Sequence, residues 1–118
     1  MWTRKIDYIS MIQKMDIGRH IYIILKGRSM LPTYHEGDKL LLVIGNTQIR
    51  KGDVVARKDD ASGITIHRIV DIKNHNGKTE VLTKGDHNPY FDEWCIIDDI
   101  IGVIRDESSC SVSTDFKY

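Results

Sequence analysis

Beyond residue 18 the chain consists of short runs of apolar and β-branched residues, each separated from the next by turn-forming residues. These runs cover residues 21–25, 39–44, 54–57, 64–73, 79–84 and 100–105. Short runs that are rich in Ile, Val and Thr and bounded by Gly, Asp or Asn are typical of β-strands, whereas helices usually need about 10 residues or more. The pattern therefore predicts a mainly β core over residues 19–106.

The longest run alternates as a strand with two different faces would. One face carries Ile64, Ile66, Val70 and Ile72, and the other carries Thr65, His67, Ile69 and Asp71. Because successive side chains of a strand point to opposite sides, His67 is predicted to point away from the main apolar face. Residues 74–77 end in Asn-Gly, the pair that tight hairpins favour, so the runs 64–73 and 79–84 are predicted to pair antiparallel.

The first 18 residues lack the strand pattern and favour an amphipathic helix. Their polar residues recur at helical spacing, at Thr3, Asp7, Ser10 and Lys14, and Gly18 is placed to end the helix. The wide apolar face that remains needs a cover, for which we favour the protein's own core over a partner or a membrane surface. The small polar residues of 107–118 predict a flexible tail, and residues 1–118 are expected to form one domain.

Charge and cysteine content exclude several classes of protein. Lys+Arg and Asp+Glu are 17 each, so the chain lacks the basic excess of a nucleic-acid-binding protein. Cys95 and Cys110 form neither a C-x-x-C pair nor a disulfide framework, which favours reduced thiols in the cytoplasm. The longest apolar runs have five residues, far short of the roughly 20 that cross a bilayer. We therefore expect a cytoplasmic protein, with a position at the membrane periphery as the alternative.

Residues suited to nucleophilic catalysis occur in three separate segments. Ser29 lies in a Pro-containing loop after a predicted strand, but a serine hydroxyl is a poor nucleophile until a base removes its proton. Of five histidines, only His67 lies in the middle of a strand, where it could be that base or a purely structural residue. The loop 84–93 offers Asp86 and Asp92 as carboxylates that could orient the imidazole. A zinc site fails on spacing, so neither metal nor cofactor is expected.

Several segments together resemble the type I signal peptidase family. They are Gly-Arg-Ser-Met-Leu-Pro-Thr at 27–33, Glu-Gly-Asp at 36–38, Lys-Gly-Asp-Val-Val at 51–55, Ile-His-Arg-Ile-Val at 66–70, Leu-Thr-Lys-Gly-Asp-His-Asn at 82–88 and Ile-Gly-Val-Ile at 101–104. They stand in the family's order and span most of the chain after the first 26 residues. His67 stands where the usual bacterial enzymes have lysine, so the chain is most similar to the branch found in the endoplasmic reticulum, archaea and some spore-forming bacteria.

The resemblance implies a fold and a role for each site residue. The fold would be a curved antiparallel β-structure with the site at an edge groove. Ser29 would be the nucleophile and its backbone N–H an oxyanion donor, His67 the general base, and Asp92 the carboxylate that orients the base. Asp86 would support the site from the same loop. The resemblance also suggests a groove for an extended peptide, lined by Met30, Leu31 and Pro32.

The chain departs from the family pattern in ways that keep other functions open. Gly27 replaces a serine that supplies an oxyanion donor in many members. The membrane anchor that normally precedes the serine segment is expected to be absent. The favoured function is a serine endopeptidase that cleaves a small precursor protein or peptide. The alternatives are a catalytically weak or inactive peptide-binding module, which Gly27 favours, and a regulator like the self-cleaving repressors. The repressor alternative is disfavoured by His67, since those proteins use lysine, and by the absence of an Ala-Gly dipeptide.

Overall fold

The computed structural model describes residues 15–59 and 63–105, and its regular secondary structure consists almost entirely of β-strands. The strands are β1 (His20–Ile24), β2 (Lys39–Ile44), β3 (Val54–Lys58), β4 (Ile64–His75), β5 (Lys78–Lys84), β6 (Cys95–Ile96) and β7 (Ile100–Arg105), with a 3₁₀ turn at Ile97–Asp99. All six predicted strands are present within two residues of their predicted ends, which confirms the mainly β fold. The two-residue strand β6 was not predicted.

Most of the predicted N-terminal helix and all of the predicted tail lie outside the described residues. Of the helix prediction, only residues 15–18 can be compared, and they form a bend and a turn instead of a helical segment. Gly18 has a positive φ of 91° and donates its N–H to the Ile44 carbonyl at 2.7 Å, which leads the chain into β1. Within the described part of the chain, no helix has the length and hydrophobicity needed to cross a bilayer.

One curled antiparallel sheet contains all seven strands. Their order across the sheet is β1-β2-β7-β3-β4-β5-β6, and every neighbouring pair runs antiparallel. The predicted hairpin joins β4 to β5, with His75 opposite Lys78. Asn76 and Gly77 have φ values of 53° and 77°, the left-handed conformation that two-residue hairpin turns require. The sheet curls into a half-barrel.

Apolar clusters cover both faces of the sheet. The larger contains Leu25, Met30, Leu40, Leu42, Ile44, Val54, Ala56, Ile66, Ile101 and Ile104, and the smaller contains Val55, Ile69, Val81, Cys95, Ile100 and Val103. Ile66 packs in the larger cluster and Ile69 in the smaller, so alternation directs His67 toward the smaller cluster, as predicted. The prediction that Ile72 shares a face with Ile66 is wrong, because a bulge between Ile69 and Asp71 shifts the alternation and places Ile72 against the smaller cluster.

Candidate active site

Ser29 lies in the loop that connects β1 to β2, and the base of this loop is closed by backbone hydrogen bonds. The Leu25 N–H donates to the Asp38 carbonyl at 2.9 Å, and the Gly37 N–H donates to the Leu25 carbonyl at 2.8 Å. These bonds extend the hairpin between the two strands by one pair beyond their ends. The serine is therefore presented on a loop whose two ends are fixed to the sheet.

Within the loop, Ser29 occupies the second position of a hydrogen-bonded turn. The Leu31 N–H donates to the Arg28 carbonyl at 3.2 Å, and the Tyr34 N–H donates to the Met30 carbonyl at 3.0 Å. In such a turn the N–H groups of the two central residues are not used by the turn itself. The backbone N–H groups of Ser29 and Met30 are therefore not needed to hold the turn together.

Of the three residues predicted to line a peptide groove, Met30 is buried in the structure. Its side chain is fully buried and packs in the larger cluster, and its sulfur accepts a weak hydrogen bond from the Asp86 N–H at 3.4 Å. Met30 therefore anchors the serine loop to the core and is closed to a bound peptide. Leu31 is half-buried and Pro32, joined to it by a cis peptide bond, is exposed, so these two residues are open to a ligand.

His67 contacts both other members of the predicted triad, one through each ring nitrogen. Nε2 lies 3.1 Å from Ser29 Oγ, and Nδ1 lies 2.6 Å from Asp92 Oδ2. His67 is only 6% exposed, and it lies on β4 with Val55 opposite it on β3. A carboxylate accepts hydrogen bonds and cannot donate them, so its contact favours the tautomer with the proton on Nδ1. Nε2 is then left with a lone pair directed at the serine hydroxyl.

Asp92 is held by Thr83, a residue that sequence reasoning did not select. The Asp92 N–H donates to the Thr83 carbonyl at 2.9 Å, and the Thr83 hydroxyl donates to Asp92 Oδ2 at 2.6 Å. Arg57 Nη1 donates in turn to Thr83 Oγ1 at 2.8 Å. Thr83 belongs to a strand that alternates in the ordinary way, and Arg57 is the next-to-last residue of β3. Neither position carries a local signal that would have identified it.

Asp86 does not contact His67 and instead ties the serine loop to the strands. It accepts two hydrogen bonds from Arg68, from Nε at 2.9 Å and from Nη2 at 2.7 Å, and a third from Thr33 Oγ1 at 2.5 Å. These donors, Arg68 first, lower the pKa of Asp86. Arg68 also donates to the Gly52 carbonyl at 2.8 Å, so one carboxylate joins three segments of the chain. Its predicted supporting role remains a proposal, which these contacts favour.

Gly85 fills the narrow space between the serine loop and the imidazole. A Cβ at this position would lie 2.7 Å from the Ser29 carbonyl oxygen and 3.0 Å from His67 Nε2. The Ser29 carbonyl also accepts a hydrogen bond from the His87 N–H at 2.8 Å. Only a residue without a side chain allows the two loops to approach this closely. No pattern in the adjacent residues signals this steric role, because it depends on the approach of a loop that is distant in sequence.

A surface cleft of about 440 Å³ opens beside His67 and Asp92, and Ser29 is not among the residues that line it. Its lining residues are Arg57, Lys58, Asp59, Thr65, His67, Asp92, Glu93, Trp94, Cys95, Ile96 and Asp99. Cationic, anionic and aromatic groups are mixed in this lining. In residues 15–59 and 63–105, no group of three or more His, Cys, Asp or Glu side chains is arranged to hold a metal ion.

The structure places a serine on a loop, hydrogen-bonded to a buried histidine of a curled antiparallel sheet. This is the arrangement of a serine hydrolase built on a β fold, and comparison with known proteins identifies the family. The model of the family described as Peptidase S24-like matches residues 2–104, and the chain belongs to this family. No solved structure matches the chain.

The chain is also similar to catalytic subunits of signal peptidase complexes. The subunit SEC11 of Candida tropicalis is 38% identical over 69 residues, which cover 58% of this chain and 41% of the relative. The sec11 protein of Dictyostelium discoideum is 35% identical over 92 residues, or 70% of this chain and 51% of the relative. SEC11 of Saccharomyces cerevisiae is 41% identical over 70 residues, or 58% and 41%. These matches confirm the resemblance to type I signal peptidases, although the chain spans only about half the length of these relatives.

Proposed function

We propose that the chain is a serine endopeptidase in which Ser29 is the nucleophile, His67 the general base and Asp92 the carboxylate that orients the base. The observation that carries this proposal is the pair of contacts on one imidazole, 3.1 Å to Ser29 Oγ and 2.6 Å to Asp92 Oδ2. A nucleophile, a base and an orienting group within hydrogen-bond reach of each other are the signature of covalent catalysis by serine.

The proposed reaction follows from these contacts. The Ser29 hydroxyl attacks the scissile carbonyl while His67 Nε2 takes its proton, and Asp92 stabilises the imidazolium that forms. His67 returns the proton to the leaving amine, and a water molecule, activated in the same way, then hydrolyses the acyl-enzyme. Because Gly27 offers no hydroxyl, the oxyanion would be stabilised by backbone N–H groups of the turn, with that of Ser29 first among them.

The sheet offers an edge for an extended substrate next to the base. β5 pairs with β4 only from Arg68 onward, where Arg68 lies opposite Lys84. Residues 64–67 of β4 pair with β3 along one edge. Along the opposite edge, where β5 pairs with the later residues of β4, no described strand covers residues 64–67. A peptide added there as a strand would pass His67 and come close to Ser29, which is the β-augmentation mode of peptide recognition.

The proposed substrate is a precursor protein or peptide that is cleaved within an extended segment. The relatives are named as catalytic subunits of signal peptidase complexes, so the cleavage region of a secretory signal sequence is the first substrate to test. A synthetic peptide spanning such a region, with a reporter at each end, gives a cleavage assay that mass spectrometry can map to one bond.

Two variants and a matched control test the proposal. We expect Ser29→Ala to abolish cleavage and His67→Gln to reduce it by about 10³-fold or more. The matched control is His75→Gln, since His75 lies exposed at the β4–β5 hairpin, and it should cleave like the wild-type protein. If the wild-type protein binds the peptide without cleaving it, and Ser29→Ala binds equally well, the proposal fails and the chain is a peptide-binding module.

A further inference from the structure

The hydroxyl of Thr83 lies between a cation and the carboxylate of the site. Thr83 is fully buried on β5, and its Oγ1 is 2.8 Å from Arg57 Nη1 and 2.6 Å from Asp92 Oδ2. A hydroxyl has one proton to donate and lone pairs to accept with, whereas a guanidinium only donates and a carboxylate only accepts. The proton of Thr83 must therefore point to Asp92, with its lone pair toward Arg57.

The loop that carries Asp92 has few other anchors. Tyr90 and Phe91, the two residues before it, are 79% and 63% exposed, and Glu93 after it is also exposed. These neighbours do not pack Asp92 into place. Besides His67, the described contacts that hold the Asp92 residue are the two made by Thr83, one to its backbone N–H and one to its carboxylate.

Both donors on the carboxylate reach the same oxygen. Oδ2 accepts from His67 Nδ1 and from the Thr83 hydroxyl, each at 2.6 Å. Without the hydroxyl, the carboxylate could rotate about its Cβ–Cγ bond and still contact His67 through either oxygen, in several orientations. With the hydroxyl, one oxygen and one orientation are selected, and the imidazole plane is fixed with it.

We infer that Thr83 is a positioning residue for the reaction, acting through Asp92, and that Arg57 sets the direction of its hydroxyl. The residue does not touch a substrate. It selects the carboxylate orientation that holds His67 Nε2 toward Ser29, and the partly buried cation behind it keeps the hydroxyl from turning away. This inference rests on the proposed function, because it concerns how the same histidine is held.

The test compares two substitutions at one position with a matched control. Thr83→Val removes the hydroxyl and keeps nearly the same shape, whereas Thr83→Ser keeps the hydroxyl. The control, Thr79→Val, makes the same threonine-to-valine change at another position on β5, where the threonine hydroxyl contacts Asn74. With the signal-sequence peptide, we expect Thr83→Val to lower kcat by about 10²-fold with KM within about twofold, since the change acts on alignment and not on binding. Thr83→Ser should recover kcat to within about threefold of wild type, and Thr79→Val should not change it.

A second measurement needs no substrate and separates this inference from the proposed function. The proton on His67 Nδ1, held by a 2.6 Å hydrogen bond to Asp92, should give a downfield proton resonance in the wild-type protein. We expect that resonance to be lost by exchange in Thr83→Val and retained in Thr83→Ser and Thr79→Val. If the wild-type protein cleaves nothing but the resonance follows this order, the proposed function fails and the positioning role stands.

The outcome that overturns the inference is a Thr83→Val protein with wild-type kcat and an unchanged Nδ1 proton resonance. Should that variant fail to fold, Arg57→Met tests the same network with Thr83 in place. In that variant we expect kcat to fall by about 3- to 10-fold and the resonance to broaden, because the hydroxyl can turn. An Arg57→Met protein with wild-type kcat and an unchanged resonance would contradict the role of Arg57. If Arg57→Met keeps full kcat while Thr83→Ser, which retains the hydroxyl, loses kcat, the role of the hydroxyl is contradicted.

Discussion

Substituting Gly85 with alanine is expected to damage the site through sterics alone. The added Cβ would lie 2.7 Å from the Ser29 carbonyl oxygen, about 0.7 Å inside the 3.4 Å at which ordinary contact begins. It would also lie 3.0 Å from His67 Nε2. The obstructing oxygen belongs to the backbone and cannot rotate away, so the serine loop must move. The hydrogen bond from Ser29 Oγ to His67 is already 3.1 Å long and would not survive a shift of this size.

We expect this shift to lower kcat/KM for the signal-sequence peptide by about 10²-fold, the cost typical of misplacing a reacting group by about 1 Å. The matched control is Gly63→Ala, where the nearest atoms belong to the flexible carboxylate of Asp59 at 3.2 Å. Both variants should show the same strand content by circular dichroism. A Gly85→Ala protein with kcat/KM within about threefold of Gly63→Ala would refute the reasoning.

Three further predictions concern stability and reactivity. Arg68 lowers the pKa of Asp86 below its ordinary 3.8, so this carboxylate stabilises the fold above that pH and less as pH falls below it. Urea unfolding should show Asp86→Asn less stable by about 1–3 kcal/mol at pH 7, and the difference should narrow as pH falls below 3.8. Burial raises the pKa of the Cys95 thiol, so in a Cys110→Ser background it should react with a thiol reagent much more slowly in the folded than in the unfolded protein. Leu42→Ala, at a fully buried position, should cost about 2–5 kcal/mol in the same urea assay.

The strands and the pairing of the hairpin could be predicted because their signals are local. Alternation along residues 64–69 and the Asn-Gly turn at 76 and 77 are properties of adjacent residues, and the structure follows both. The bulge that moves Ile72 to the other face could not be predicted in this way, because it depends on the register that β4 adopts against β5. A two-residue strand such as β6 is too short to show any period.

Some residues of the site could likewise be predicted from their side-chain chemistry, whereas others depend on how the chain packs. Side-chain chemistry indicates Ser29 and His67 and leaves Asp86 and Asp92 open as the carboxylate, and the family resemblance then selects Asp92. The structure brings Ser29, His67 and Asp92 together. The burial of Met30 and the position of Thr83 depend on contacts between segments that are distant in sequence. No local pattern distinguishes a methionine that anchors a loop in the core from one that lines a groove.

The central claim is that His67 can accept the proton of Ser29, and the tautomer of the imidazole tests it most directly. Long-range proton–nitrogen correlation spectra of the ¹⁵N-labelled protein, recorded above the pH at which the ring is protonated, report which nitrogen carries the proton. We expect Nδ1 to be protonated toward Asp92 and Nε2 to be unprotonated toward Ser29, as the 2.6 Å and 3.1 Å contacts imply. A ring with its proton on Nε2 could not act as the base for this serine, and that result would contradict the proposed role of His67.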